Sequence, residues 1–219
     1  MDGATLQQKV YYGYAQAAKR VGHAHIQSRP VFGGTPTAIG SINAVMAVGP
    51  TTGFNFERPA LEADFQFQCL ADAAQLQIGD VLTDALSGVT YFIGGKAPLM
   101  PVIAIRCNAT LSFERRSPPV QAPGLNAYSG ASFANEIEAV TGIPACVIFA
   151  SSGKSSRGTA LPGDAPGPIK YEIHVSPLID ATMIALNDAV IDDAGRRFLV
   201  AGFEKTPVSF RLDTVHQVA

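Results

Sequence analysis

The chain has 219 residues, a formal net charge of −2 and only 16% charged residues, a balance that excludes a protein binding nucleic acid through phosphate neutralisation. Hydrophobic residues make up 47% of the chain, enough to build one large domain or two domains of about 100 residues each. The low charge, the 21 glycines and the 15 prolines predict a β-rich chain whose surface is partly covered by partners.

The first predicted element is a helix over TLQQKVYYGYAQAAKRVG (5–22). Thr5 with Gln8 has the spacing of a capping box, and Gly22 is suited to end the helix. Apolar residues recur at helical spacing, at Leu6, Val10, Tyr14, Ala17 and Val21. This stripe is too weak to hold an isolated helix, so we expect the helix to dock on its own body or on a neighbouring subunit.

A long extended arm rich in Pro, Gly, Ser and Thr is predicted over 28–60, with little regular structure. The strand pattern begins after it, at DFQFQCLA (64–71). The stretch GDVLTDALSGVTYFIGG (79–95) predicts a hairpin, and two further strands follow in PVIAIRC and ATLSFER.

The proline-rich segment RSPPVQAPG (116–124) indicates a linker and a domain boundary. The predicted divisions are 1–116 for the helix, arm and first β-domain, 117–125 for the linker, and 126–219 for a second β-domain. Within the second β-domain, SFANEIEAVTG (132–142) predicts a short helix capped by Ser132 and ended by Gly142. It is followed by the strand ACVIFAS, a long loop at 152–168, and the strand IKYEIHVS with His174 on its outer, polar face.

The segment NDAVIDDAGRRFLVAG (187–202) repeats the hairpin of 79–95 with one residue deleted in the turn. The matched pairs are Asp80 with Asp188, Asp84 with Asp192, Gly88 with Gly195, Tyr91 with Phe198, Gly95 with Gly202, and Pro101 with Pro207. The turn glycine is expected to supply a positive φ and the closing glycine a bulge. The predicted fold is therefore mainly β with short helices (α+β): two small barrel-like or sandwich-like units, an N-terminal helix and a long extended arm.

No pattern in the sequence indicates catalysis, a cofactor or a metal site. Cys69, Cys107 and Cys146 are widely spaced in apolar contexts and are expected to be buried free thiols. SSGKSSRG lacks the first glycine of a phosphate loop, and the histidines, among them His23 and His25, are expected to be exposed rather than metal-bound.

The aspartates at the hairpin entries are interpreted as turn residues. The polar, acidic start of the chain predicts no signal peptide, and the longest apolar runs, such as PLMPVIAI, are too short to cross a bilayer. We therefore expect a protein made in a cytoplasm, with no membrane partner.

Three stretches, TLQQKVYYGYAQAAKRVG, GDVLTDALSGVTYFIGG and PLMPVIAIRCNATLSFER, resemble a family of small structural proteins of tailed bacteriophages and prophages. The resemblance is strongest over 5–22 and 76–115. It implies a virion protein that forms a ring-like homo-oligomer in the tail, at the baseplate or the head–tail neck. It also implies contacts with tail tube, sheath or portal-adjacent proteins, and no catalytic residue.

Two alternatives remain open at this point. One is a virion-associated glycan or peptidoglycan hydrolase, which needs two carboxylates about 5–10 Å apart in a cleft. The other is a host-surface binding module, which needs an exposed aromatic platform. If the chain is an assembly protein, the expected interface residues lie on the helix, the arm and the long loop: Leu6, Val10, Tyr11, Tyr14, Phe32, Phe54, Phe56, Lys154 and Arg157.

Overall fold

The computed structural model describes residues 2–31, 35–48, 65–116, 136–152, 169–179 and 182–217. Its helix is α1, Gly3–Val21. The strands of the first half are β1 His23–Arg29, β2 Thr37–Val48, β3 Gln66–Leu70, β4 Val81–Asp84, β5 Thr90–Gly95 and β6 Val102–Arg106. Those of the second half are β7 Ala109–Arg116, β8 Glu136–Ser152, β9 Ile169–Val175, β10 Ala189–Asp192, β11 Arg197–Lys205 and β12 Phe210–Gln217.

The strands form two closed barrels of six strands, and neighbouring strands are antiparallel. The first barrel has the order β1-β2-β3-β6-β5-β4, closed by pairing of β4 with β1. The second has the order β7-β8-β9-β12-β11-β10, closed by pairing of β10 with β7. The two orders are the same when the strands of each half are counted in sequence. The mainly β fold with barrel units is confirmed.

Each barrel encloses its own core, because inward and outward side chains alternate along every strand. Small residues are frequent in the first core, whose buried members include Ile42, Ala44, Cys69, Leu82, Ile93 and Ala104. Larger side chains fill the second core, among them Leu111, Phe113, Ile173, Phe198 and Leu212. Full burial of a Leu, Ile or Phe side chain contributes about 1.5–3 kcal/mol, so each barrel has a substantial core of its own.

The domain boundary differs from the predicted one. Strand β7 pairs with β8 and β10, so residues up to Arg116 belong to the second barrel and not to the first. The chain passes between the barrels at Cys107 and Asn108, which separate β6 from β7. The predicted linker at 117–125 lies outside the described residues.

The predicted extended arm at 28–60 contains regular structure. Its first residues complete β1, and Thr37–Val48 is the twelve-residue strand β2, paired with β1 and β3. In β2 the buried side chains are Ile42 and Ala44, whereas residues 37–41 are exposed, so this strand shows no long apolar alternation in the sequence. Residues 32–34 and 49–64 lie outside the described part of the chain.

The predicted helix at 132–142 is wrong over its described part, because β8 begins at Glu136 and pairs with β7 and β9. Gly142, expected to end the helix, has a φ of 72° at an irregularity in the β7–β8 register. A residue without Cβ suits this left-handed conformation, so the glycine permits a bulge in the strand. Ser132 is outside the described residues.

The hairpin repeat is confirmed in three dimensions. Gly88 and Gly195 have φ of 71° and 77° at the two turns, and bulges occur at Ile93/Gly95 and Val200/Gly202. The prolines at 101 and 207 both lie in the connection before the next strand. Duplication of one barrel unit explains why both the strand order and the turn residues recur.

Helix α1 is capped by Asp2, whose carboxylate accepts a hydrogen bond from the Thr5 amide at 2.8 Å, and not by the predicted capping box. This bond lowers the pKa of Asp2 below its ordinary value. The helix ends at Gly22, as predicted. Among the described residues, no helix has the length and apolar character needed to cross a bilayer.

Candidate functional site at the seam between the barrels

Helix α1 docks on the first barrel through its tyrosines. The Tyr11 hydroxyl donates to the carbonyl of Ala97 and the Tyr14 hydroxyl to the carbonyl of Leu99, each at 3.3 Å. Tyr11 also packs against the first core. Both tyrosines were predicted as interface residues, and they bind the helix to its own barrel.

The helix face that meets the barrel is displaced from the predicted stripe. It includes Tyr11, Tyr14 and Ala18, of which only Ala18 is fully buried, whereas Leu6 and Val21 are 42% and 68% exposed. Val10 is half-buried. The other predicted interface residues, Phe32, Phe54, Phe56, Lys154 and Arg157, lie outside the described residues.

The most distinctive functional candidate among the described residues is the seam between the barrels. Val81, Phe92 and Ile105 are cross-strand neighbours on the outer face of the first barrel, yet they are 7%, 0% and 0% exposed. They pack with Cys146 and Ile148 of β8 in one apolar cluster. The barrels therefore share a hydrophobic contact that excludes water from one face of each.

Polar and steric contacts align the two barrels at this seam. The Asn108 side chain donates to the carbonyl of Val147 at 2.9 Å and accepts from its amide at 2.7 Å. On the other side, a Cβ at Gly94 would lie 2.2 Å from the carbonyl oxygen of Val208. The equivalent residue in the second barrel is Ala201, which is exposed. Gly94 thus permits strand β5 of the first barrel to approach the Val208 carbonyl closely, and the equivalent position of the second barrel makes no such approach.

A buried histidine lies at the edge of the seam. His174 is 5% exposed, although it occupies the outer face of β9 where the sequence predicts exposure. The ring of Phe65, which precedes β3 of the first barrel, stacks on it with centroids 4.5 Å apart. His174 is therefore covered by the other barrel. His25 is also buried, 3% exposed, and its Nδ1 lies 3.0 Å from the carbonyl of His23.

His174 has a polar neighbour at each ring nitrogen. Nδ1 lies 2.9 Å from the hydroxyl of Ser209. Nε2 lies 2.9 Å from the Glu172 carboxylate, which is the acceptor within reach when the ring is protonated. Burial lowers the pKa of His174 below its ordinary value, although Glu172 acts in the opposite direction, so the ring is neutral at neutral pH.

A glutamate, a histidine and a serine in one cluster invite comparison with a hydrolytic triad. Ser209 is 0% exposed, so its hydroxyl has no access to a substrate in solution. It is also within 3.0 Å of Thr206 Oγ1, and its amide donates to the same oxygen. The cluster can therefore bind or release a proton at His174, but the buried Ser209 hydroxyl cannot act as a nucleophile on a substrate.

A cavity of about 200 Å³ opens beside the seam. Its lining includes Pro30, Pro36, Val81, Phe92, Pro144 and Ser176, from both barrels. No carboxylate, histidine or cysteine is among its described lining residues, so it offers an apolar recess without acid–base groups.

The buried carboxylates serve the two repeated turns. Asp80 accepts from Arg29 Nε at 2.8 Å, from Gln27 at 2.8 Å and from the Gln77 amide at 2.9 Å. These bonds are matched in the second barrel by those of Asp188 with Arg115 and the Ala185 amide. Hydrogen bonding to the aspartates raises the pKa of both arginines.

The second pair of matched aspartates closes the hairpin turns. Asp84 accepts from the Ser87 hydroxyl at 2.6 Å and the Leu86 amide at 3.0 Å, and these bonds lower its pKa. Asp192 accepts from the Arg196 amide and guanidinium, each at 2.7 Å. The predicted role of these aspartates in turns is confirmed.

The cysteines are free thiols, as predicted, with Cys69 and Cys146 buried and Cys107 half-buried. Burial raises the pKa of Cys69 and of Cys146 to about 12, which suppresses the thiolate at neutral pH. Within the described ranges, no three His, Cys, Asp or Glu side chains are grouped in a way that could hold a metal ion.

The sequence indicated neither the seam nor the role of His174. One signal was available: Tyr91–Ile93 of β5 and Val102–Ile105 of β6 are runs of consecutive apolar residues, which indicates strands covered on both faces. The residue that covers His174 comes from a distant part of the chain, so no local pattern could reveal it.

Comparisons with protein-family models, with curated proteins and with solved structures found no match.

Proposed function

We propose that the chain is a non-catalytic assembly protein that forms a ring-like homo-oligomer in a phage virion, in the tail baseplate or the neck, and joins neighbouring virion proteins. The proposal combines the resemblance of three sequence stretches with one surface of the structure. This surface is called the helix–loop surface here and consists of exposed residues of α1 and of the loop before β6: Leu6, Tyr12, Leu99 and Met100.

The helix–loop surface carries the proposal because its apolar side chains are extensively exposed. Tyr12 is 67% exposed, Met100 55%, Leu6 42% and Leu99 40%. The hydrogen bond from Tyr14 to the Leu99 carbonyl holds the loop against the helix. Leu6 and Tyr12 are six positions apart and lie on different sides of α1, so a partner that covers both would have to contact more than one side of the helix. A helix of nineteen residues with one fully buried side chain gains further stability when a second protein covers it.

The described polar groups support a role without catalysis. The buried carboxylates Asp80, Asp188 and Asp192 accept hydrogen bonds from arginines and turn amides. The buried pair of Ser209 and His174 is closed to solvent. These groups are occupied in holding turns and in the packing between barrels.

The test is a measurement of mass in solution by light scattering and native mass spectrometry, for the protein alone and mixed with tail-tube protein. We expect a defined oligomer or a complex. Tyr12→Glu combined with Leu6→Glu is expected to dissociate it while the circular dichroism spectrum is kept. The matched control is Gln8→Glu, which adds one charge to an exposed position of the same helix.

A compact monomer with no affinity for any virion protein, together with its absence from purified particles, would overturn the proposal. Loss of a hydrolytic activity on Asp84→Ala or Asp192→Ala would also contradict it.

A further inference from the structure

The edge of the seam at His174 combines burial, nearby charged groups and a contact between barrels. The ring is enclosed by Phe65 on one face and by Arg211 and Cys146, its direct cross-strand neighbours on β12 and β8. Each barrel closes its own hydrogen-bonded ring of strands and has its own core. A change at His174 can therefore affect the contact between the barrels without opening either one.

Charged groups of both signs lie around the ring. Glu172 on β9 and Asp213 on β12 favour the protonated ring, whereas Arg211 on β12 disfavours it. Arg211 is itself surrounded by carboxylates, at 3.9 Å from Glu172, 3.7 Å from Asp213 and 3.1 Å from Glu204 on β11. On the other neighbouring strands, β8 carries the uncharged Cys146 thiol and β6 ends at Arg106.

A proton on His174 places a positive charge on a ring that is 5% exposed and covered by Phe65 of the other barrel. Nε2 then lies 2.9 Å from the Glu172 carboxylate, which favours the charged ring. The loss of hydration is the larger effect, so the protonated ring is more stable where water reaches it. Movement of Phe65 away from His174 admits that water and opens the contact between the barrels.

We propose that His174 makes the contact between the two barrels sensitive to pH, so that its protonation loosens the seam while each barrel remains folded. Because the folded-state pKa lies below the ordinary value of 6.5, the neutral ring stabilises the seam fully above that pH. The stabilisation is lost as the pH falls from 6.5 through the lower folded-state pKa. Every group in this cluster belongs to one chain, so the effect is expected in the monomer and in any assembly.

The experiment is amide hydrogen exchange at pH 7.5 and pH 5.0, corrected for the intrinsic pH dependence of exchange. One reporter is the amide of Val147, which donates to Asn108 at the junction between the barrels. The other is the amide of Arg106, which donates to the carbonyl of Phe65 and therefore reports directly on displacement of the residue that covers His174. We expect seam amides to lose protection at pH 5.0, by at most about tenfold per pH unit for one proton. Amides inside the barrels, such as that of Ile93, should keep their protection.

His174→Gln should abolish this pH effect, whereas the matched variant His23→Gln, at an exposed histidine, should retain it. If His174→Gln fails to fold, Phe65→Leu serves instead. Because Phe65→Leu removes part of the cover from the His174 ring, it should raise the pKa of His174 toward its ordinary value, and NMR titration measures that change. Equal seam protection at both pH values, persistence of the effect in His174→Gln, or a wild-type His174 titrating at or above 6.5 would overturn the proposal.

Discussion

Asp80 and Asp188 occupy the same position in the two barrels. Each carboxylate accepts the amide of the residue three positions earlier, at 2.9 Å and 2.7 Å, and each pairs with an arginine near the end of the barrel's first strand. Their own carbonyls accept from Ile93 and Val200, next to the two matched bulges. One carboxylate therefore joins the turn, the first strand and the bulged strand in each barrel.

Asp80→Ala is expected to lower the free energy of unfolding by about 3 kcal/mol, because the buried Gln27 amide loses its acceptor and the Arg29 guanidinium and Gln77 amide lose theirs. Asp188→Ala should destabilise the second barrel through the same loss. Urea unfolding followed by circular dichroism measures both changes. Asp193→Ala, at an exposed position in the second hairpin turn, is the control and should change stability by less than about 0.5 kcal/mol. Equal effects of all three variants would contradict the structural role of the matched pair.

Gly94→Ala should loosen the seam, because its methyl group would lie 2.2 Å from the Val208 carbonyl oxygen. We expect a loss of about 1–3 kcal/mol in unfolding free energy, typical of overpacking, together with faster exchange of seam amides. Gly13→Ala is the control. It lies inside α1 with no atom within 4 Å of the added Cβ, and it should stabilise the helix by about 0.5–1 kcal/mol. An unchanged seam in Gly94→Ala would contradict the close approach.

Asn108→Asp tests the hydrogen-bonded pair at the junction between barrels. The substitution keeps the acceptor for the Val147 amide and places a second oxygen against the Val147 carbonyl. We expect a loss of about 1–3 kcal/mol at pH 7, relative to wild type at the same pH. Since the ionised carboxylate is the disfavoured form, its pKa should rise in the folded state, and the deficit should shrink as the pH falls through that value. Asn43→Asp, on an exposed position of β2, should show a negligible deficit.

Thiol labelling tests the burial of the cysteines. With pKa values of about 12, Cys69 and Cys146 should react with iodoacetamide far more slowly in the folded protein at pH 8 than after unfolding. Ser87→Cys, at an exposed hairpin tip, provides a rapidly labelled reference in the same molecule. Mass spectrometry of tryptic peptides assigns each modification. Labelling of Cys69 as fast as the reference thiol would contradict its place in the first core.

The sequence predicts the hairpins well because their turns depend on local chemistry. Gly88 and Gly195 supply positive φ, and Asp84 and Asp192 bond to nearby turn atoms, so both signals survive in the folded chain. The repeat of these signals also leads correctly to two barrel units. These predictions depend on residues that interact with their own neighbours in sequence.

The errors arise where distant contacts decide the structure. Residues 136–142 have helical spacing and a suitable glycine, but pairing with β7 and β9 makes them part of a strand. The boundary at 117–125 fails because β7 crosses into the second barrel before the prolines are reached. Burial of His174 depends on Phe65, which no periodicity connects to it. The helix itself is predicted correctly. Its docking on Ala97 and Leu99 depends on the folded first barrel and has no local signal in the sequence.

The identical strand order of the barrels has a consequence for synthesis. In an unfolded chain, Arg29 of β1 could form an ion pair with Asp188, next to β10, in place of its native partner Asp80. The non-native pairing of β1 with β10 would then compete with the native pairing of β1 with β4. Every strand needed to close the first barrel precedes Cys107. Domains generally fold as units, starting at the N-terminus while translation continues. Emergence from the ribosome in this order lets β1 pair with β4 before β10 exists, and thereby removes the kinetic trap that the duplication creates.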